Sequence, residues 1–281
     1  MIKIIENYKI IDAHCHIYPD KIAEKASAGT SDFYKMPSLF DGKISTLLAR
    51  GLSAGIDHFV VQSVATAPSQ VSGINRFIAK AVEDSNGCFT GLGTLHPDSE
   101  NMAREIEEIL ELGLRGVKLH PDIQRVALDD SRMHKIYELC YGRLPILMHT
   151  GDSRFDFSNP NRMRPVLEKY PELTVVGAHF GGWSVWDEAV ETLSKFKKFY
   201  VDTSSSLYAV TSERAKKMID AYGAERVLFG TDYPMWDIDK EIERFMDVEL
   251  SEKERCDILY NNAARLFLPP HNIDESLDKK L

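Results

Sequence analysis

Short apolar runs alternate along this chain with segments in which apolar residues recur at helical spacing. The apolar runs predict eight strands, at 9–16, 57–64, 89–95, 114–120, 144–150, 173–179, 198–204 and 226–231. The helical patterns lie at 43–54, 69–84, 99–112, 130–141, 160–169, 185–195, 211–222 and 238–247. Strands that alternate with helices indicate a parallel α/β fold, and eight such repeats fit a closed (β/α)8 TIM barrel. A doubly wound open sheet is the alternative, although no Gly-x-Gly-x-x-Gly turn follows the first strand.

The repeats predict one barrel domain over 1–281, because no linker or low-complexity segment interrupts them. A final helix is predicted at about 251–266 and closes the domain. The charged tail 269–281 is predicted to be loose.

The segment 18–42 reads as an insertion after the first strand. It is rich in small and polar residues and carries an aromatic cluster at Phe33, Tyr34 and Phe40. Two interpretations stay open for it: a lid over a pocket, or a flexible surface loop.

Composition and charge place the chain among soluble globular proteins, with 43% hydrophobic and 27% charged residues. The net charge of −9 and the lack of a basic run argue against a nucleic-acid partner. Cys15, Cys88, Cys140 and Cys256 show no paired spacing, so we expect free thiols in a reducing compartment. The sequence shows no signal peptide and no apolar stretch near the roughly 20 residues that span a bilayer. A cytoplasmic location without a membrane partner is the expectation.

Two histidines stand two residues apart at the end of the first predicted strand. Side chains alternate along a strand, so His14 and His16 should share one face with Asp12, opposite Ala13 and Cys15. Two imidazoles side by side make half of a metal site. The pair alone is weak evidence, because a histidine near a strand end is usually just a hydrogen-bonded polar residue.

The pattern recurs, since four further predicted strands end in residues of similar chemistry. These residues are Lys118 with His120, His149, His179 and Asp232. The carboxyl ends of barrel strands meet at one face, where active sites lie. Strand alternation further predicts that Gly177 shares the inward face with His179.

Three imidazoles and one carboxylate suit a first-row divalent cation such as Zn²⁺. His14, His16, His149 and Asp232 are therefore assigned to one metal ion per chain. His179 faces the same space, either as a fifth ligand or as a general acid/base. A bound metal would lower the pKa of its water towards about 7, and Asp232 could take a proton from that water.

Four more residues are candidates for substrate binding. Lys118 is open to three interpretations: a cation for a substrate carboxylate, a buried partner of an acidic residue or, if carbamylated, a bridge between two metals. His120 shares its strand face and is predicted to line the pocket. Arg154 follows the His149 strand and suits either a carboxylate-bearing substrate or a solvated helix start. Trp183 either walls an apolar pocket or packs the barrel rim.

Five motifs together resemble those of the amidohydrolase superfamily. They are 12–16 (DAHCH), 116–121 (GVKLHP), 149–151 (HTG), 178–182 (AHFGG) and 230–234 (GTDYP), and 261–267 (NNAARLF) is similar to the usual ending. The branch most similar to this chain is the amidohydrolase-related group that includes aminocarboxymuconate-semialdehyde decarboxylase.

This resemblance implies a (β/α)8 barrel with one divalent metal, usually zinc. It places the metal on His14, His16, His149 and Asp232, and the catalytic acid/base role on His179.

Three functional hypotheses follow. The first is a metal-dependent hydrolase of a small molecule (a lactone, amide or ester), which the compact length favours because the decarboxylases of this group are usually longer. The second is a zinc-dependent, non-oxidative decarboxylase of an unsaturated or aromatic acid. The third is a barrel that binds metal without catalysis, against which stand the intact His179 and Asp232. Homodimers are common among barrels, but the sequence carries no interface signal.

Overall fold

The computed structural model describes residues 7–269. Its strands are β1 Ile11–His16, β2 His58–Gln62, β3 Phe89–Gly91, β4 Gly93–Thr94, β5 Val117–Leu119, β6 Ile146–Met148, β7 Val175–Gly177, β8 Phe199–Asp202 and β9 Val227–Leu228. Its helices are α1 Asp20–Tyr34, α2 Ile44–Ser53, α3 Val71–Asp84, α4 Met102–Glu111, α5 Pro121–Gln124, α6 Ser131–Cys140, α7 Pro160–Lys169, α8 Trp186–Leu193, α9 Ser212–Tyr222, α10 Ile238–Met246, α11 Glu252–Cys256 and α12 Asn262–Phe267.

All the paired strands run parallel, in the order β1 to β3 and then β4 to β9. β3 and β4 form one strand of the barrel, broken at Leu92. The amide of Leu92 donates to Val61 on one side, and the amide of Gly93 donates to Gly116 on the other. The cylinder closes where the amide of Ala13 donates to the carbonyl of Phe229. The predicted (β/α)8 barrel is thus confirmed.

Local sequence explains how the helices begin and pack, as α10 shows. The Asp237 side chain accepts from the amide of Lys240 at the start of the helix and satisfies one otherwise free N–H group. Ile238, Ile242 and Phe245, spaced four and three residues apart, are buried against the barrel.

The inside of the barrel is apolar below the functional face. Ala263 and Phe267 of α12 close this inner cluster at one end. Its other members include Ile11, Ala13, Val60, Leu92, Leu147, Val176, Ala178 and Leu228. A core of branched side chains fills the cylinder, so polar groups can gather only at the strands' carboxyl ends.

Two predicted strand phases are wrong. A register shift between Asp12 and Cys15 changes the alternation in β1, so Ala13 lies in the inner cluster although it was expected opposite His14. In β7 the inner cluster holds Val176 and Ala178, so Gly177 faces the helices instead of the barrel axis. A Cβ on Gly177 would lie 2.3 Å from the ring of Phe199.

Two predicted segments differ from the structure in detail. The segment 18–42 contains α1, whereas the sequence pattern gave no helix there. The predicted final helix is divided into α11, a π-helical turn at Asp257–Asn261, and α12. Of the tail 269–281, all but Pro269 lies outside the described residues, as does the N-terminal segment 1–6.

None of the helices in the described part of the chain is both long and apolar enough to span a membrane.

Candidate active site

A cavity of about 620 Å³ opens at the carboxyl ends of the strands. Its polar lining includes His14, His16, Lys118, His120, His149, His179 and Asp232. The rest of the lining is mostly apolar, and most of it comes from α1, α3 and the loops beside them. The cavity therefore joins a polar floor to an apolar wall.

Three of the four predicted metal ligands lie together on this floor. His14 Nε2 is 3.2 Å from His16 Nε2, and Asp232 Oδ1 is 3.4 Å from the first and 3.7 Å from the second. Donor atoms bound to one cation at about 2.0–2.2 Å lie about 3.0–3.6 Å apart. Two of the three distances fall in this range and the third, 3.7 Å, lies just above it, so these side chains can share one metal ion.

His149, the fourth predicted ligand, contacts His179, which also lines the floor. Its Nδ1 atom is 3.2 Å from His179 Nε2. Its Nε2 atom is buried without a hydrogen-bond partner in the described residues and lies 3.5 Å from Asp122 Oδ2. A histidine between a cation and a carboxylate is a common arrangement in metal sites, and the role of His149 as the fourth ligand stays a prediction.

Asp202 orients the floor, although the sequence pattern did not identify it as a site residue. Its Oδ2 accepts from His14 Nδ1 at 2.8 Å, and its Oδ1 accepts from the amide of His179 at 2.9 Å. With its proton held on Nδ1, His14 keeps the Nε2 lone pair for a cation. The available signal was the position of Asp202 at the end of a predicted strand, the same signal that identified the other residues.

The backbone at two chemistry-bearing residues is left-handed. His179 has φ +63° and Phe180 has +52°, and Asp232 has φ +60°. This conformation is uncommon for residues with a Cβ and clusters at functional sites. It turns His179 into the cavity even though Gly177, two residues before it, faces outwards. Gly182 permits the turn, because a Cβ there would lie 2.5 Å from the Cβ of Ala189.

Burial sets the protonation of the floor. Loss of solvent lowers the pKa of His14, His16, His120 and His149 well below the usual value, and that of His179 to about 3. Neutral imidazole is the form that binds metal. Burial also raises the pKa of Asp232 to about 7 and lowers the pKa of Lys118 to about 8.

Lys118 and His120 both line the cavity, as predicted for substrate-binding residues. Lys118 is 1% exposed, and its Nζ atom lies 3.0 Å from His14 Nε2. His120 stacks on His149, with ring centres 4.0 Å apart. Lys118 is thus the cation nearest to the candidate ligands, and carbamylation of its amine stays a hypothesis.

Arg154 is not among the residues that line this cavity. Its guanidinium binds both carboxylate oxygens of Asp152 and donates to the carbonyl of Phe33 at 2.8 Å. The predicted role in holding a substrate carboxylate is therefore replaced by a contact that holds the end of α1. Trp183 lies edge-on to Tyr34 and lines a small adjoining recess.

Tyr34 is a second site residue that the sequence pattern did not identify as one. Its hydroxyl lies 2.6 Å from His120 Nε2 and 3.3 Å from His149 Nδ1. The sequence indicated it only as one aromatic residue of the 18–42 segment. Tyr34 is the last residue of α1, and its hydroxyl reaches the polar floor.

Comparisons with known proteins agree with this geometry. A family model described as amidohydrolase matches residues 11–268. The chain therefore belongs to the amidohydrolase family, as the motifs predicted.

Among curated proteins, the chain is similar to a gamma-resorcylate decarboxylase from Polaromonas sp. (strain JS666 / ATCC BAA-500). The two are 33% identical over 118 residues, which cover 36% of this chain and 36% of that protein's length. The matched part is thus about a third of the relative.

Solved structures share the barrel. An uncharacterised TIM-barrel protein from Bordetella bronchiseptica has a TM-score of 0.77 at 23% identity, over 92% of this chain and 98% of that chain. A dihydroxybenzoic acid decarboxylase from Polaromonas sp. JS666, with bound manganese and the inhibitor 2-nitroresorcinol, has a TM-score of 0.71 at 20% identity, over 92% and 96%. These likenesses confirm the fold.

Proposed function

We propose that the protein is a divalent-metal-dependent, non-oxidative decarboxylase of an aromatic or unsaturated carboxylic acid. The observation that carries this proposal is the cluster of His14, His16 and Asp232 at the floor of a largely apolar cavity. Named relatives of the chain are decarboxylases of aromatic acids, and one of them holds manganese. These findings favour the decarboxylase over the hydrolase that the compact length suggested.

The donor set fits a divalent cation, with His14, His16, His149 and Asp232 as the residues that would hold it. Imidazole and carboxylate ligands suit both zinc and manganese, so the donors alone do not choose between them. When bound there, the cation would act as a Lewis acid towards an oxygen of the substrate.

Decarboxylation requires one proton and no oxidant. The bond between the ring carbon and the carboxyl carbon breaks, its electron pair stays on the ring carbon, and CO₂ leaves. A proton must then occupy the ring position that carried the carboxylate. His179 and Asp232 both line the cavity and can hold or deliver a proton, which makes them the candidate acid/base groups.

Two other features of the floor support this chemistry. Lys118 supplies a buried positive charge beside the ligand cluster, where it can offset a substrate carboxylate. The apolar wall beside the floor would contact the uncharged part of a bound acid.

The test is a direct comparison of reactions on one enzyme preparation. The full chain is loaded with manganese or zinc, and CO₂ release is measured with 2,6-dihydroxybenzoate and 5-carboxyvanillate. Acid release is measured in parallel with a panel of lactones and amides. We expect CO₂ release that falls at least a hundredfold in Asp232→Asn, while the exposed Asp239→Asn variant keeps wild-type activity.

Acid release from a lactone or amide, without CO₂ release from any carboxylic acid, would overturn the proposal and favour the hydrolase hypothesis. Full activity of the Asp232→Asn variant would overturn the assigned site for either reaction.

A further inference from the structure

One side of the cavity is a groove between two helices. α1 contributes Ile22, Ala26 and Gly29, and α3 contributes Gly73, Ile74 and Phe77. We call these six residues the apolar groove. The spacing of four and three residues along α1 places its members on one helical face. Ile22 is 50% exposed, so this face presents apolar surface to solvent.

The groove and the polar floor belong to one cavity, but the groove is apolar and the floor carries the ionisable side chains. The ionisable side chains of the cavity's described lining, apart from Tyr18 and Tyr34, belong to the floor: five histidines, Lys118 and Asp232. Among the described residues that line the cavity, the polar ones nearest to the groove along the chain are Thr30, Thr66 and Gln70, and none of them carries a charge. The groove therefore offers no charged partner to a second carboxylate on the substrate.

The cavity is also larger than a single-ring acid requires. Pockets of about 300–1,000 Å³ hold ligands of drug size, and this cavity measures about 620 Å³. An acid whose carboxylate lies on the floor would leave the groove filled only by water. The unfilled part is apolar, so a matching part of the ligand would gain free energy by displacing that water.

Two glycines keep the groove open. Gly29 and Gly73 lie within helices, and a Cβ built on either meets no atom within 4 Å. Neither has the left-handed backbone that would require glycine. Glycine within a helix costs about 1 kcal/mol relative to alanine. The open space that both glycines leave beside the cavity is consistent with room for a ligand.

From these observations we infer that the substrate is a monocarboxylic acid with an uncharged, apolar substituent of several carbons, which binds in the apolar groove while the carboxylate lies on the polar floor. This inference rests on the proposed decarboxylase function and names its substrate class. Burial of one methylene group changes affinity about three- to fourfold when it is complete. In a groove that is partly open, we expect about twofold for each methylene.

The experiment measures kcat/KM of the metal-loaded full chain with 2,6-dihydroxybenzoates that carry no chain or an unbranched propyl, pentyl or heptyl chain para to the carboxylate. We expect kcat/KM to rise at least tenfold from the unsubstituted to the pentyl acid, mainly through KM. Gly73→Leu fills the groove, so it should abolish this rise and lower kcat/KM more for the pentyl and heptyl acids than for the unsubstituted acid. Gly73→Ala is the matched control and should keep most of the rise.

Equal kcat/KM across the series in the wild type would overturn the inference. So would a loss in Gly73→Leu that is the same for the short and the long acids, because the variant would then act on the floor and not on the groove.

A binding measurement separates failure of the groove from failure of the reaction. If no acid releases CO₂, the same chain is titrated calorimetrically with 5-alkylresorcinols of the same chain lengths. If affinity rises with chain length in wild type but not in Gly73→Leu, binding in the apolar groove is supported and the proposed decarboxylase function is rejected. Affinity independent of chain length rejects the groove.

Discussion

Asp202 illustrates at the residue scale how the floor depends on side chains that need not touch a ligand. It holds His14 by one oxygen and the amide of His179 by the other, and it is fully buried. Sequence alternation identifies residues at strand ends, but it does not show which partner each one binds. The sequence therefore predicted the candidate ligands and missed the carboxylate that orients one of them.

A second buried carboxylate, Glu241 of α10, makes stability depend on pH. One of its oxygens has no hydrogen-bond partner in the described residues, and the other accepts from Arg244. Burial raises the pKa of Glu241 from its ordinary 4.5 to about 7. Because the folded pKa lies above the unfolded one, the folded state binds the proton more tightly. The free energy of unfolding therefore falls as the pH rises from about 4.5 to about 7.

We expect Glu241→Gln to remove this dependence. The amide still accepts from Arg244 but carries no charge, so the variant should gain about 3 kcal/mol on the wild type between pH 4.5 and 7.5. Urea unfolding at several pH values measures the difference. Glu243→Gln, on the same helix and paired with Lys240, is the control and should follow the wild-type curve. Parallel curves for wild type and Glu241→Gln would show that Glu241 is not the titrating group.

At the element scale, α1 is the feature that the sequence described least well. The helix covers the cavity and not the core, and only Ala23 and Ser27 are buried in it. An amphipathic signal comes from a face packed on a core, so a helix over a cavity shows little of it. The sequence of 18–42 therefore indicates an insertion with aromatic residues but does not indicate its helix.

Arg154 fastens the end of α1 to the barrel. It binds Asp152, donates to the carbonyl of Phe33 and lies over the rings of Phe33, Tyr34 and Trp183 at 5.2–5.4 Å. We expect Arg154→Ala to speed amide hydrogen exchange in α1 about tenfold, the equivalent of one lost charged hydrogen bond of about 1.4 kcal/mol.

Hydrogen exchange followed by mass spectrometry tests this directly. Arg162→Ala is the matched control, because that arginine binds Asp129 and Asp156. Unchanged exchange of α1 in Arg154→Ala, or the same increase in both variants, would show that Arg154 does not hold the helix.

At the scale of the whole molecule, closure of the barrel explains why the sequence predicted so much of the floor. Eight parallel strands bring their carboxyl ends to one face, so residues far apart in the chain, such as His14 and Asp232, meet without any pairwise signal. The parts that were not predictable are departures from regular geometry. A register shift in β1, the broken strand at Leu92 and the left-handed turn at His179 all depend on contacts with neighbouring strands.

The same closure couples metal binding to the stability of the barrel. The candidate ligands come from β1, from the ends of β6 and β9, and so from three separate parts of the chain that meet only in the folded state. A cation that binds only the folded state at a thousand times its Kd adds about 4 kcal/mol to the free energy of unfolding. For a chain of this size that corresponds to a rise in Tm on the order of 10 °C.

We therefore expect manganese or zinc to raise the Tm of chelator-treated protein by this amount. In Asp202→Asn, an amide nitrogen replaces the oxygen that accepts a hydrogen bond from His14 Nδ1, and this nitrogen cannot accept one. Loss of such an orienting partner typically weakens metal binding 10- to 100-fold. That variant should show about half the rise at the same metal concentration, whereas Asp239→Asn should show all of it. Differential scanning fluorimetry measures all three proteins, and an equal shift in Asp202→Asn and wild type would mean that the metal does not depend on His14 as the geometry implies.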